Sequence, residues 1–137
     1  MAALLYGVFL VGHYVAGRVL PFADEQVGAI YALREGTDLR LVAVLVFLWI
    51  GPLEEVFWRG FVQRRLAARL GGFAGLAVAT ALYAGVHVWS LNVMLMAAAG
   101  ICGAFWGLLY RRYGSIWPGV VSHAVWDVAI FVLWPIG

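Results

Sequence analysis

Residues 41 to 59 read LVAVLVFLWIGPLEEVFWR and place two adjacent carboxylates, Glu54 and Glu55, inside one of the most apolar stretches of the chain. An ionisable side chain at the centre of a membrane costs roughly 2.5 to 3.5 kcal/mol on insertion scales, so it persists where it is paired or where it does chemistry. Glu55 and Arg59 are spaced i, i+4 and can pair on one helix face, which predicts a structural role for both. Glu54 points about 100° away from Glu55 on a helix and needs a partner from elsewhere.

The composition identifies the surroundings of this stretch as a membrane. Hydrophobic residues make up 65% of the 137 residues, charged residues only 12%, and the mean hydropathy is +0.94. Soluble domains carry about 25% charged residues. The length allows about five spans of roughly 20 residues and excludes a separate soluble domain. We therefore predict an all-α fold, a polytopic membrane helical bundle of about five transmembrane helices that forms a single membrane domain over residues 1–137.

The spans follow from the apolar runs and the residues that interrupt them. Five runs qualify: 2–20, 39–58 with a helical continuation to residue 70, 73–89, 91–110 and 116–134. Gly71 and Gly72 break the second run from the third. The polar segment 24–40 predicts a short amphipathic helix at the interface. Residues 1–40 thus form a first span with an interfacial segment, and 41–134 form the rest of the bundle.

Arginine supplies all nine basic residues and predicts the orientation. Five arginines fall in the connections between spans two and three and between spans four and five: Arg64, Arg65, Arg69, Arg111 and Arg112. The positive-inside rule makes that side cytoplasmic and places the N-terminus inside. The basic residues do not form the clustered face of a nucleic-acid protein, so we expect no nucleic-acid partner. We expect a multi-pass protein of the bacterial inner membrane.

Three further ionisable residues lie in the predicted spans: His87, His123 and Asp127. If spans two and three form a hairpin that turns at Gly71, Glu54 and His87 lie at nearly equal depth, where they could share a water. His123 and Asp127 are spaced i, i+4 and can point into one pocket. We expect one interior cavity to collect six side chains: Glu54, Glu55, Arg59, His87, His123 and Asp127.

Three motifs resemble one protein family. The segments EEVFWR (54–59), YAGVH (83–87) and SHAVWD (122–127) match, in order, the EExxxR, [FY]xxxH and HxxxN/D motifs of the CPBP intramembrane proteases, which include the type II CAAX prenyl endopeptidases. The resemblance covers residues 41–134, the catalytic core of that family. It implies hydrolysis of a peptide bond in a membrane-associated or lipid-anchored peptide or protein. It further implies that Glu54 and His87 activate water, while His123 and Asp127 stabilise the oxyanion.

Asp127 departs from the asparagine that the family often has at this position. An ionised aspartate repels an oxyanion, so Asp127 is either protonated, or orients His123 from outside the reaction centre, or belongs to a metal site. Glu54, His87 and His123 would be the ligands of such a site, since two histidines and a glutamate bind many catalytic zinc ions. Helical zinc sites, however, place two histidines four residues apart on one helix. We therefore expect a glutamate mechanism without a cofactor, with zinc as the alternative.

The remaining candidates have supporting or packing roles. Tyr83 lies one turn before His87 and could orient it. His13 has no motif around it, which indicates packing or an interfacial position, and Cys102 indicates packing between helices.

Two other classes of function remain open. Intramembrane Glu, His and Asp also build proton relays and transporters, although the chain has neither an internal repeat nor a pair of broken helices. A catalytically silent relative that binds a peptide or confers immunity is the second alternative.

Overall fold

The computed structural model describes residues 1–136, and these residues form helices and short connections without a strand. Six helices follow one another along the chain: α1 (Ala2–Val19), α2 (Ala23–Ala32), α3 (Leu39–Leu70), α4 (Gly72–Gly85), α5 (Val93–Tyr113) and α6 (Trp117–Leu133). The predicted all-α bundle is confirmed. The second apolar run is one helix of 32 residues that continues to Leu70, as the sequence predicts.

Four of these helices are long and apolar enough to cross a membrane: α1, α3, α4 with the turn that follows it to Ser90, and α5. The chain is therefore an integral, multi-pass membrane protein. The fifth predicted span, α6, is shorter because Pro118 lies in its first turn and Pro135 follows its end. Proline cannot donate the hydrogen bond that would continue a helix, so the two prolines limit α6 at both ends.

Glycine residues bring the helices close together. Gly71 ends α3 at φ +89°, a left-handed conformation that glycine adopts without strain. A Cβ atom at Gly75 would collide with the backbone of Ala67, so α3 and α4 pack tightly on either side of the turn. A Cβ at Gly51 would lie 3.2 Å from the backbone nitrogen of Ala124, which marks the crossing of α3 and α6. This crossing brings Glu54 and Glu55 next to the residues of α6.

Two segments of α3 are π-helical, Val46–Ile50 and Val56–Gln63. A π turn is wider than the 3.6 residues of an α turn, so it shifts the face of the helix on which the following side chains lie. Glu55, Arg59 and Gln63 follow one another at intervals of four residues in a line along α3, and all three are buried. Apolar periodicity alone does not predict this change of pitch.

The buried line of α3 faces the backbone of α5. Arg59 Nη2 donates to the carbonyl oxygens of Cys102 (3.4 Å) and Gly103 (3.2 Å), and Gln63 Nε2 donates to the carbonyl oxygen of Gly107 (2.9 Å). Gly103 and Gly107 have no side chain to hold the helices apart, which follows the general use of small residues between membrane helices. These contacts fix the position of the Arg59 guanidinium against α5.

The segment predicted as an interfacial helix is helical over Ala23–Ala32 and is attached to the rest of the bundle by polar contacts. Asn92 Nδ2 donates to the carbonyl oxygen of Gln26 (2.7 Å), and the backbone nitrogen of Met94 donates to Gln26 Oε1 (3.0 Å). Asn92 also caps α5 by accepting from the backbone nitrogen of Leu95. At the other end of α2, the Tyr31 hydroxyl accepts from the backbone nitrogen of Ile136 (3.1 Å). These contacts place α2 over one end of the bundle.

Candidate active site

Glu55 is the centre of a buried cluster of charged and polar side chains from α3 and α6. Its Oε1 atom accepts from Arg59 Nη1 and lies within hydrogen-bond distance of His123 Nδ1, both at 2.9 Å. The relative exposures are 0% for Glu55, 2% for Arg59, 3% for His123 and 4% for Asp127, so water does not screen these interactions. The predicted Glu55–Arg59 ion pair is present. Glu55 also contacts His123, so the pair is part of a larger buried cluster.

The other carboxylate oxygen of Glu55 packs against α6. Oε2 is buried and has no hydrogen-bond partner among the described residues, and a Cβ at Gly119 would lie 2.5 Å from it. Any side chain at position 119 would therefore displace Glu55. Gly119 allows α6 to approach α3 closely enough for His123 to reach Glu55.

His123 is held on three sides. Its ring stacks on Trp106 with centroids 3.6 Å apart and planes inclined by 18°. Its Nε2 atom lies 3.6 Å from Asp127 Oδ2, which is an ion-pair contact but too long for a good hydrogen bond. Trp106 is itself tied to α6, since its Nε1 atom donates to Ser122 Oγ (3.3 Å). His123 is thus oriented by Glu55, Trp106 and Asp127 together.

Glu54 has entirely different surroundings from Glu55. The hydroxyl of Tyr83 on α4 donates to Glu54 Oε2 at 2.6 Å, while Oε1 receives no hydrogen bond from the part of the chain that the structure describes. Glu54 is only partly buried. Its second oxygen is therefore available to a water or a substrate.

Tyr83 contacts both Glu54 and His87. Its hydroxyl binds Glu54, and its backbone carbonyl oxygen lies 2.9 Å from His87 Nδ1. The two rings meet edge to face with centroids 5.6 Å apart. The position of His87 therefore depends on the end of α4, just before the short 3-10 helix Val88–Ser90, and Tyr83 positions Glu54.

One cavity of about 570 Å³ joins these groups. Its wall contains the four residues that the motifs assign to catalysis together with the supporting tyrosine: Glu54, Tyr83, His87, His123 and Asp127. Glu55 and Arg59 do not line this cavity, so the expectation that all six ionisable side chains meet there is wrong for these two. They lie behind the wall, where Glu55 contacts His123 and Arg59 contacts Glu55.

The N-terminal helices complete the cavity, which the sequence did not indicate. Residues of α1 and α2 form one side of it, and among them is His13. Its Nδ1 atom is buried without a hydrogen-bond partner in residues 1–136. A buried polar atom of this kind costs about 1 to 3 kcal/mol. His13 and Tyr31 are the polar residues that α1 and α2 contribute to this wall.

The structure does not assemble the zinc ligand set named from the sequence. Within residues 1–136, no three His, Cys, Asp or Glu side chains lie close enough together to hold a metal ion. His123 directs both ring nitrogens at carboxylates, and His87 directs Nδ1 at a backbone carbonyl. This arrangement does not fit a zinc ion held by Glu54, His87 and His123, so we assign no step to a metal.

The fold and the site together define the class of this protein. It is a multi-pass membrane protein in which acidic and imidazole side chains line a cavity. Within this class, the model of the family described as type II CAAX prenyl endopeptidase Rce1-like matches residues 36–129, and the chain belongs to this family. No curated protein and no solved structure matches the chain. The resemblance predicted from the three motifs is confirmed. Membership supports protease activity on a substrate associated with the membrane.

Proposed function

We propose that this protein is a glutamic endopeptidase that cleaves a membrane-associated or lipid-anchored peptide or protein in the bacterial inner membrane. The observation that supports this function best is the set of contacts that Glu54 makes and its position at the cavity. One of its oxygens is held by Tyr83, the other has no hydrogen-bond donor among the described residues, and Glu54 lines a cavity that it shares with His87 and His123. A general base needs this combination of a fixed position and access to the reacting water.

In the proposed reaction, Glu54 takes a proton from a water molecule as the water oxygen bonds to the carbonyl carbon of the scissile peptide. His87, on the same cavity wall, holds this water. The carbonyl oxygen becomes a tetrahedral oxyanion. When that intermediate collapses, the carbon–nitrogen bond breaks, and the leaving amine receives the proton from Glu54. Removal of a general base of this kind typically costs a factor of about 10² to 10⁴ in rate.

His123 supplies the donor for the oxyanion in this mechanism. Nδ1 donates to Glu55, and Nε2, which lies 3.6 Å from Asp127 Oδ2 and makes no good hydrogen bond to it, is left to donate to the oxyanion. The opposite formal charges of Glu55 and Arg59 make their burial tolerable in a membrane. Asp127 orients His123 from outside the reaction centre.

The direct test uses purified protein in lipid nanodiscs and a peptide that ends in a prenylated CAAX-type sequence. We expect the wild type to release the C-terminal fragment, detected by mass spectrometry. Glu54→Gln should release none above background, while Glu35→Gln, a control at an exposed glutamate, should behave as the wild type. A wild type that binds the peptide and never cleaves it would favour the catalytically silent alternative.

A further inference from the structure

Five arginines lie together at the end of the bundle where α3 turns into α4 and α5 turns into α6. They form the arginine face: Arg64, Arg65, Arg69, Arg111 and Arg112. Arg59 contacts the carbonyl groups of Cys102 and Gly103, and Gln63 contacts that of Gly107, so α3 and α5 run in the same direction. All five arginines follow these contacts along the two helices and therefore lie beyond them at the same end.

The two connections that carry these arginines touch each other. The Arg111 guanidinium lies over the ring of Phe73, with Cζ 3.4 Å from the ring centroid. A Cβ atom at Gly72 would lie 3.3 Å from Arg111 Nε, so the end of α5 rests against the turn between α3 and α4. The arginines of both connections thus belong to one surface.

The positive charge of the arginine face is not opposed by acidic residues. All five side chains are exposed, and the sequence contains no Asp or Glu between Glu55 and Asp127. Those two carboxylates are buried inside the bundle. Within residues 1–136, the ion pairs join Glu55 to Arg59 and His123 to Glu55 and Asp127, and none includes an arginine of this face. The five charges are therefore available to an anionic partner from outside the chain.

Exposed aromatic rings show at which depth these guanidinium groups lie. Arg65 and Arg112 lie over Phe61 and Tyr113, with Cζ at 4.3 Å and 5.6 Å from the ring centroids. Phe61, Phe73 and Tyr113 are 48%, 67% and 51% exposed. Aromatic rings on membrane proteins concentrate at the headgroup level of the bilayer. Guanidinium groups stacked on such rings are thus at the depth of lipid phosphates, which favours lipid over a soluble acidic partner.

The opposite end of the bundle has the reverse charge. Residues 20–40, which comprise α2 and the segments beside it, contain four acidic residues and two arginines: Asp24, Glu25, Glu35, Asp38, Arg34 and Arg40. Arg34 turns inward, since its Nη1 atom donates to the carbonyl oxygen of Phe131. This end repels anionic headgroups, so the attraction is confined to the arginine face.

We infer that the arginine face binds the headgroups of anionic phospholipids. The planar guanidinium fork matches the oxygens of a phosphate group, and clusters of about four to eight basic residues beside transmembrane helices attract anionic lipids. The positive-inside rule predicts that this face is cytoplasmic, where the leaflet has a negative surface potential. The inference does not depend on the proposed function, because none of the five arginines lines the catalytic cavity.

The experiment measures the preference for an anionic lipid by electron spin resonance. The full chain is reconstituted in phosphatidylcholine vesicles that contain a trace of spin-labelled phosphatidylglycerol or spin-labelled phosphatidylcholine. The motionally restricted fraction of each label gives the ratio of the two association constants. Both leaflets contain the label, so the orientation in which the protein inserts does not affect this ratio.

We expect the wild type to prefer phosphatidylglycerol about fivefold at low salt, which corresponds to one effective contact between an arginine and an anionic headgroup. Sodium chloride at about 1 M should bring the ratio close to one, because the Debye length falls to about 3 Å. Replacement of all five arginines by glutamine should have the same effect as salt, and replacement by lysine should preserve the preference.

A pair of double variants tests whether the site is local. Arg111→Gln with Arg112→Gln should lower the ratio at least about twofold. Arg18→Gln with Arg40→Gln removes the same number of exposed arginines near the opposite end and should leave the ratio unchanged. Melting temperatures verify that each variant is folded, and if the variant with five glutamines is not, the double variants and the salt titration decide the question.

Three results would overturn the inference. The first is a wild-type ratio close to one, and the second is an equal loss of preference in the two double variants. The third is displacement of the labelled lipid by inorganic phosphate far below the ionic strength at which sodium chloride displaces it, which would identify a site for the free ion. Peptide cleavage enters none of these measurements, so failure of the proposed function leaves their outcome unchanged.

Discussion

Two neighbouring glutamates of one helix occupy opposite environments in this protein. Glu55 lies in a closed cluster, where Oε1 contacts Arg59 and His123 and Oε2 is buried against Gly119 without a hydrogen-bond partner among the described residues. Glu54 lies at the wall of the cavity, where the Tyr83 hydroxyl is its one side-chain donor in the described part of the chain. A rotation of about 100° between adjacent residues of a helix separates the two environments. The comparison shows that the fully buried carboxylate has a guanidinium and an imidazole as partners, whereas the partly buried carboxylate beside the cavity has only a hydroxyl donor among the described residues.

The sharpest test of this difference replaces each glutamate by glutamine. Glu54→Gln should reduce kcat by a factor of about 10² to 10⁴ with no loss of thermal stability in detergent, because the amide keeps the volume and loses the base. Glu55→Gln should lower the melting temperature, because the amide removes the negative charge opposite Arg59 and His123. Normal turnover by Glu54→Gln would show that the base is another residue.

The second prediction concerns the charge left behind when the closed cluster is broken. Arg59→Gln should destabilise the protein by roughly 3 to 5 kcal/mol, since it leaves Glu55 buried with an uncompensated charge. Unfolding by titration with a denaturing detergent measures this change. Arg64→Gln, an exposed arginine five residues further along α3, is the control and should change stability little. A stable Arg59→Gln protein would mean that His123 alone compensates Glu55.

The third prediction examines how Glu54 is held. Tyr83→Phe removes the hydroxyl that donates to Glu54 and should reduce kcat about tenfold or more, because a hydrogen bond to a charged group is worth about 1.5 to 3 kcal/mol. The fold should persist, since the ring contacts with Trp58 and His87 remain. Tyr113→Phe, at an exposed tyrosine, is the control. If Tyr83→Phe cleaves at the wild-type rate, the cavity positions Glu54 without this contact.

The smallest effect is expected at Asp127. Asp127→Asn keeps the size and the hydrogen-bonding capacity of the side chain next to His123, so we expect activity within about tenfold of the wild type. This is the low end of the loss in activity that follows when a residue that orients a functional side chain is replaced. Chelators should change the rate of the wild type little. Stoichiometric zinc in the purified protein, combined with an inactive Asp127→Asn variant, would contradict the mechanism without a metal.

Much of the fold could be predicted because the bilayer permits few elements. Apolar runs locate the spans, and Gly71 locates the turn that brings α3 and α4 side by side. Two residues at equal distances along the chain from a hairpin turn lie at similar depth in the membrane. Glu54 and His87 are at nearly equal distances from Gly71, so their residue numbers alone predict that they lie at similar depth. Both residues do line one cavity.

The partners of each side chain could not be predicted, because they depend on the rotation and spacing of the helices. The π-helical part of α3 turns Gln63 toward α5, and Gly119 lets His123 reach Glu55; neither effect appears in a hydropathy pattern. The contribution of α1 was missed for a different reason. The residues of α1 that line the cavity belong to no motif, and their position beside it is visible only when the bundle is assembled.

The spacing of Glu55 and Arg59 on one helix has a consequence for the order of events during synthesis. Four residues separate them, so α3 can neutralise its deepest charges within itself while it enters the bilayer. The carbonyl groups that later receive Arg59 lie 43 and 44 residues further along the chain, and His123 lies 68 residues after Glu55. The newly inserted helix therefore carries its own counter-ion until the ribosome has delivered the helices that complete the cluster.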